Sequence, residues 1–205
     1  VIYNDRFGFL STVLDRNKPL KVLDYKSQEW SIRFNLEENE FEINDELLIS
    51  PLQNYPKEIN LGLVKIPKSL DLLQLQLQQI SNQIDAEGSV ICSFMTKNFS
   101  KRIIEIAELY FDKIEQTKAV KKARLMILSS PKKGVKKELI NSVELNKETS
   151  LNQYFGVFSS NHIDYASQFL IDNLKIDSSA MMGLDLASGN GVLAYSIRQQ
   201  NKDLE

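Results

Sequence analysis

Cysteine and histidine are almost missing from this 205-residue chain: Cys92 and His162 stand alone. One cysteine closes no internal disulfide, and with one histidine it builds no zinc cluster, so no metal is expected. The lone thiol sits in the apolar run GSVICSF and reads as a buried strand residue in a reducing, cytoplasmic setting. His162 reads as a surface or cap neighbour, not a base. No apolar run reaches the length of a membrane span and no leader peptide opens the chain, so no membrane is expected as a partner. Charge of one sign is lacking too. The balance of 25 basic against 27 acidic residues leaves −2, so nucleic acid is not advertised globally and basicity has to be sought locally. No hydrolase triad is apparent.

What is present is a regular alternation of strand-like and helix-like patterns over the first 130 residues. Ile2–Asn4, LKVLD (20–24), DELLIS (45–50), INLGLVKIP (59–67), GSVICSFM (88–95) and KARLMILSS (122–130) read as strands. Between them, 8–17, 27–39, 69–84 and 100–114 read as helices, with Ser27 as a candidate N-cap. Leu70, Leu73, Leu77, Ile80 and Ile84 fall at helical spacing, as do Ile103, Ile106, Ala107 and Tyr110. Trp30, Phe34 and the leucines near residue 75 are expected in the core. This is an α/β pattern with a mostly parallel sheet.

Residues 131–150, PKKGVKKELINSVELNKETS, are polar and charged and read as a linker or a loosely packed connection. Beyond it, a helix is expected around Ile163, Ala166, Leu170 and Leu174, capped by Ser159 or Ser160. A strand follows in MMGLDLA (181–187), then a turn in SGNG and a helix in VLAYSIRQQ. Strand, glycine turn and helix bring backbone N–H groups close to a cofactor, and Gly189 and Gly191 remove side chains where a ligand would pass. Gly189, Gly191 and Ala194 also satisfy the dinucleotide pattern G-x-G-x-x-G/A, although such turns also serve as plain connections.

The start of the chain repeats this turn faintly. Aligning Gly8 with Gly191 sets GFLSTVL against GVLAYSI, each near an acid, Asp5 or Asp185. The first turn has lost its glycine pair, because Arg6 and Phe7 stand where a ligand would approach. Asp24, at the end of the second strand, is either a ribose-binding acid or a solvated turn residue. The chain begins at Val1 inside a strand-like run, and the second turn falls near Glu205, so both ends are expected to be cut from a longer protein.

The segments GVFSSNHIDYASQFLIDNL and GLDLASGNGVL resemble the ribosomal RNA guanine-N2 methyltransferases, in which a G-V-F-S segment precedes a D-x-G-C-G-x-G-V-L turn. NDRFGFLS, VKIPKSL and KKARLMI resemble pieces of that family's N-terminal part. The resemblance implies a Rossmann-like S-adenosylmethionine (SAM) methyltransferase fold in two copies. A degenerate N-terminal copy at 1–130 would hold RNA or support its neighbour, and the first part of a catalytic copy would occupy 151–205. It implies that Asp185, Ala187, Gly189, Asn190 and Gly191 form the SAM turn, and that Phe158, Ser159 and Asp164 lie on a segment closing over the cofactor. Ala187 and Ser188 depart from the family's usual glycine and cysteine.

It further implies methyl transfer to the exocyclic N2 of a guanine in ribosomal RNA, with rRNA or a ribosomal subunit as partner and a monomeric enzyme. The family's N-P-P-F/Y motif is not among these residues, so no catalytic residue is expected in this stretch and the stretch alone is expected to be inactive. Lysines stand at the equivalent place of the first copy, Lys65 and Lys68. Lys118, Lys121, Lys122, Arg124, Lys132 and Lys133 are a candidate phosphate-binding stripe, against the plain reading of a solvated face. The alternatives are a non-catalytic RNA-binding or supporting module and a nicotinamide-dependent oxidoreductase.

Overall fold

Ile2–Tyr3 (β1) is the strand around which the first unit is wound. In the computed structural model, which describes residues 1–146, 149–159, 162–186 and 188–204, it lies between Lys21–Val22 (β2) and Ile59–Lys65 (β4), parallel to both. Leu48–Ile49 (β3) extends the sheet beyond β2, and Ile84–Met95 (β5) extends it beyond β4, again in parallel. Ala123–Pro131 (β7) then pairs antiparallel with β5, and Phe111–Gln116 (β6) antiparallel with β7. The order is β3-β2-β1-β4-β5-β7-β6. The chain thus winds outward one way from β1 and the other way from β4, leaving a crevice between their C-terminal ends where doubly wound folds bind ligands. This is the expected Rossmann-like α/β architecture.

The helices are placed by their apolar spacing. Leu70–Gln83 (α3) starts where the Ser69 hydroxyl accepts the Leu72 N–H, and it buries Leu73, Leu77 and Ile80 completely. These residues join Tyr3, Val64, Val90, Cys92, Ile106 and Met126 in one core. In Lys26–Glu38 (α2) the inward face is Gln28, Ile32 and Leu36. Trp30 and Phe34 lie on another face and are about 60% exposed (63% and 61%), so their expected core placement is wrong. The size of the aromatic side chains suggested burial, but the i, i+4 phase set by Ile32 decides the face. Tyr25, not Ser27, is the N-cap, and it offers no side-chain hydrogen bond.

Other expectations are corrected as well. The helix read over 100–114 stops at Tyr110 (α4, Lys101–Tyr110), and β6 begins at Phe111. Ile114 continues the helical period of the preceding residues, so spacing alone runs past the boundary; ladder pairing with β7 ends the helix. The hairpin between β6 and β7 closes through Lys121 and Lys122, both left-handed (φ 46° and 65°), next to the Val120–Ala123 bridge. A two-residue turn with both φ positive normally takes Asn-Gly. Two lysines there strain the backbone by about 1–2 kcal/mol each.

The chain divides into two compact units, 1–137 and 138–205. The described residues of the stretch read as a linker or loosely packed connection, 131–150, contribute to both. Its first part is stitched to α3: the Asn82 amide donates to the Val135 carbonyl and accepts the Gly134 N–H, and the Gln78 amide does the same for Lys137. Its second part enters an antiparallel hairpin of Ile140–Asn146 (β8) and Thr149–Tyr154 (β9).

The second unit leaves many large apolar side chains exposed. It contains Tyr165–Asn173 (α5) and Val192–Gln200 (α6), and few of its apolar side chains are buried. The strand expected at 181–187 is not formed among the described residues. Met181, Met182, Leu184 and Leu186 are exposed, and no strand of this unit pairs with them. Among the described residues no helix is long and apolar enough to cross a membrane, and no cluster of His, Cys, Asp or Glu is arranged to hold a metal.

Candidate functional site

The two glycine turns have the same backbone. Gly8 (φ 75°, ψ 11°) precedes Phe9–Val13 (α1), and Gly191 (φ 75°, ψ 12°) precedes α6. In each, a carboxylate accepts the N–H three residues beyond the glycine. Asp5 takes the Ser11 N–H at 2.7 Å and its hydroxyl at 2.8 Å, and Asp185 takes the Ala194 N–H at 3.1 Å. The acids are not in register with each other, being three and six residues before their glycine, yet they perform the same helix-capping role.

What differs is the space over the glycine. A Cβ on Gly8 would lie 2.9 Å from the Ile32 Cα, so this glycine is needed for α1 to pack on α2. A Cβ on Gly191 would meet nothing within 4 Å. Gly189 is also left-handed (φ 56°), and the Asn190 carboxamide accepts the Val192 N–H. Among the described residues the second turn is therefore open to an incoming ligand, whereas the first is covered by α2. Ala187 lies outside the described residues.

The other expected cofactor residues divide differently. Asp164 caps α5 by accepting the Ala166 and Ser167 N–H groups at 3.1 and 3.3 Å. The helix is thus not capped by Ser159, and Ser160 lies outside the described residues. An acid immediately before Tyr165 can reach both N–H groups, whereas Ser159 stands too far upstream. Ser159 is left-handed (φ 56°), and its carbonyl accepts from Gln153. Phe158 is 72% exposed. His162 is exposed, with its ring tilted against Tyr165 at 6.1 Å.

In the first unit the crevice between β1 and β4 is filled by the chain itself. The Asn4 amide donates to the Lys65 carbonyl and to Gln76 Oε1, both at 2.8 Å. The Gln76 amide returns a bond to Asn4 Oδ1 at 3.0 Å and reaches Asp24 Oδ2 at 3.3 Å. Asp24 is not the solvated turn residue considered above. Its Oδ1 is buried without a hydrogen-bond partner, and burial pushes its carboxyl up to about 6. Sequence reasoning missed Asn4 and Gln76, because a glutamine inside a leucine-rich helix carries no mark of an inward role.

The basic stripe is broken up. Lys118, Lys121 and Lys122 are exposed. Arg124 donates to Gln116 across the hairpin. Lys132 is tied to the Glu108 carbonyl and the Asp112 carboxylate, and the Lys133 ammonium donates to the Ile84 carbonyl.

Comparison with known proteins fits this division. A family model described as "RLMG N-terminal domain" matches residues 1–133, nearly two thirds of the chain. The chain belongs to the RLMG N-terminal domain family. A second model, "Methyltransferase small domain", matches residues 148–205. Over 200 residues the chain is 32% identical to the ribosomal RNA large subunit methyltransferase G of Psychromonas ingrahamii, covering 96% of this chain and 52% of that protein. The Aliivibrio fischeri protein of the same name is 30% identical, over 99% of this chain and 53% of its own length. The chain thus spans about half the length of these relatives. Among solved structures, the T. thermophilus 16S rRNA N2 methyltransferase RsmC, in complex with AdoMet and guanosine, has a TM-score of 0.68 at 16% identity, over 90% of this chain and 51% of that one. In an RLMG N-terminal domain, then, the covered Gly8 turn and the plugged crevice belong to the matched first unit, and the open Gly191 turn to the small methyltransferase segment.

Proposed function

We propose that this chain is the N-terminal half of a SAM-dependent methyltransferase acting on a guanine of large-subunit ribosomal RNA, with the first unit as a non-catalytic support and the second carrying the start of the cofactor site. The observation that carries the reading is the open Gly189–Gly191 turn, next to a first turn of the same backbone that is closed. Membership of the RLMG N-terminal domain family and relatives named as rRNA methyltransferases support the substrate class.

The residues present fit the cofactor. Gly189, Asn190 and Gly191 would hold SAM through backbone, with no side chain of the described residues over Gly191. SAM supplies an electrophilic methyl group. Asp185 and Asp164 are positioning residues: they fix the starts of α6 and α5, the helices that follow the glycine turn and the Phe158–Ser159 segment in the chain. Acceleration of such a transfer rests on holding two reactants in line and keeping water out. The guanine has to be unpaired or turned out of its stack to be reached. A cytoplasmic, monomeric protein is the corresponding expectation.

The test is a titration of the isotope-labelled chain with S-adenosylhomocysteine and, separately, with NAD(H), followed residue by residue in NMR spectra. Shifts confined to 185–194 with S-adenosylhomocysteine, weakened about tenfold or more by Gly191→Ala through its left-handed strain, are the expected result. Shifts there with NAD(H) alone would reinstate the oxidoreductase. No shift with either leaves a supporting module.

A further inference from the structure

We propose that the first unit holds one unpaired nucleotide of single-stranded RNA in a crevice at the C-terminal ends of β4 and β5. The inference rests on the RNA-substrate reading above and assigns part of that recognition to a site away from the glycine turns.

The crevice has a volume of about 440 Å³, within the range of small-ligand sites. Its wall is apolar, with Ile66, Pro67, Phe94 and Ile103. Lys65 and Lys68 stand at its edge, and its lining contains no acid. Phe94, in the lining, is held by stacking on Phe99 at 5.6 Å and 25°, so an aromatic ring forms part of the apolar wall. An apolar slot with an aromatic ring in its wall and a cationic edge suits a base with its phosphate, since stacking accepts any base and lysine accepts the backbone.

The strained hairpin supplies a second, independent observation. Ala123 lines the crevice, and the Lys122 carbonyl accepts both the N–H and the hydroxyl of Thr96, which follows the lining residue Met95. The turn that places Lys121 and Lys122 in an unfavourable backbone is therefore bonded to the crevice rim. Strain retained at a fixed, exposed, doubly cationic tip points to a use for the charges.

A cavity of similar size, about 430 Å³, lies among residues at the start of β4 and also has two lysines, Lys18 and Lys57. There the Lys57 ammonium is bound to the Lys18 carbonyl, and Glu58 is in the lining. It serves as the internal control.

The experiment measures binding of a short single-stranded RNA to the 205-residue chain by fluorescence anisotropy over a series of salt concentrations. K65A/K68A is expected to bind about tenfold more weakly, with a salt slope smaller by roughly one to two. K18A/K57A is expected to match the parent. K121N/K122G gives the turn its preferred residues, so it should melt higher while binding several-fold more weakly, a pair of effects that unfolding does not produce. An oligonucleotide of abasic sites should bind the parent about tenfold more weakly than RNA, and K65A/K68A equally poorly.

Equal loss in K65A/K68A and K18A/K57A, or undiminished binding of the abasic strand, would overturn the proposal and leave the methyltransferase reading intact. So would unchanged RNA binding by K121N/K122G. Absence of any RNA binding by the parent also overturns it, and the S-adenosylhomocysteine titration then decides separately whether the methyltransferase reading stands.

Discussion

Asp24 shows how one side chain is reshaped by what packs against it. Its position at the end of β2 is that of a ligand-binding acid, but the Gln76 amide has moved against it and one oxygen is left buried and unpaired. Burial lifts its carboxyl from 3.8 to about 6, so the folded chain keeps the proton where the unfolded chain has already released it. Its contribution to stability is therefore complete below about pH 4 and is lost as the pH rises through 6. Two pH units correspond to about 3 kcal/mol at most. Asp24→Asn is expected to raise the melting temperature at about pH 8 and to confer no advantage at about pH 4. A pH-independent difference in thermal melts would show that packing, not ionisation, governs the site. Cys92 is the contrasting case: burial holds its thiol up at about 12, so it remains a core atom and not a nucleophile.

At the scale of elements, the strands and helices of the first unit were largely readable, because burial of one helix face imposes a period that survives in Leu73, Leu77 and Ile80. Boundaries set by long-range pairing were not, as the α4–β6 junction shows. Nor was the role of the glutamines in α3, which pair with backbone or polar groups far away in sequence: Gln78 with Lys137, Gln83 with the Tyr55 N–H, Gln76 with Asn4. The glycine turn was legible as a pattern. The capping duties of Asp164 and Asp185 were not, since a cap exists only once the helix start is known. Gly8 makes the difference testable. Gly8→Ala forces a Cβ against the Ile32 backbone in a left-handed residue and should destabilise the first unit by roughly 2–4 kcal/mol. Gly191→Ala meets no neighbour and should lower stability only by the strain, about 1–2 kcal/mol. Equal losses in denaturant titrations would refute the distinction between a packing glycine and a ligand-facing one.

For the molecule as a whole, the two units differ in how much apolar surface they hide. The first has a continuous core. The second leaves Tyr165, Phe169, Met181, Met182, Leu184 and Leu186 exposed. Segments with little burial open most readily. Limited trypsin digestion of the 205-residue chain should therefore cut first after Lys175 and Arg198 and leave a resistant fragment close to 1–137; equal cutting in both units would contradict this. The plugged crevice of the first unit has a further consequence, for reversibility. Replacing Arg6 and Phe7 with small residues would not reopen it, because Asn4 and Gln76 would still bridge β1, β4 and Asp24. Removing either amide alone strands its partner in a partly buried place. Emptying the crevice through either amide thus passes through a less stable protein, and the plug resists removal one residue at a time.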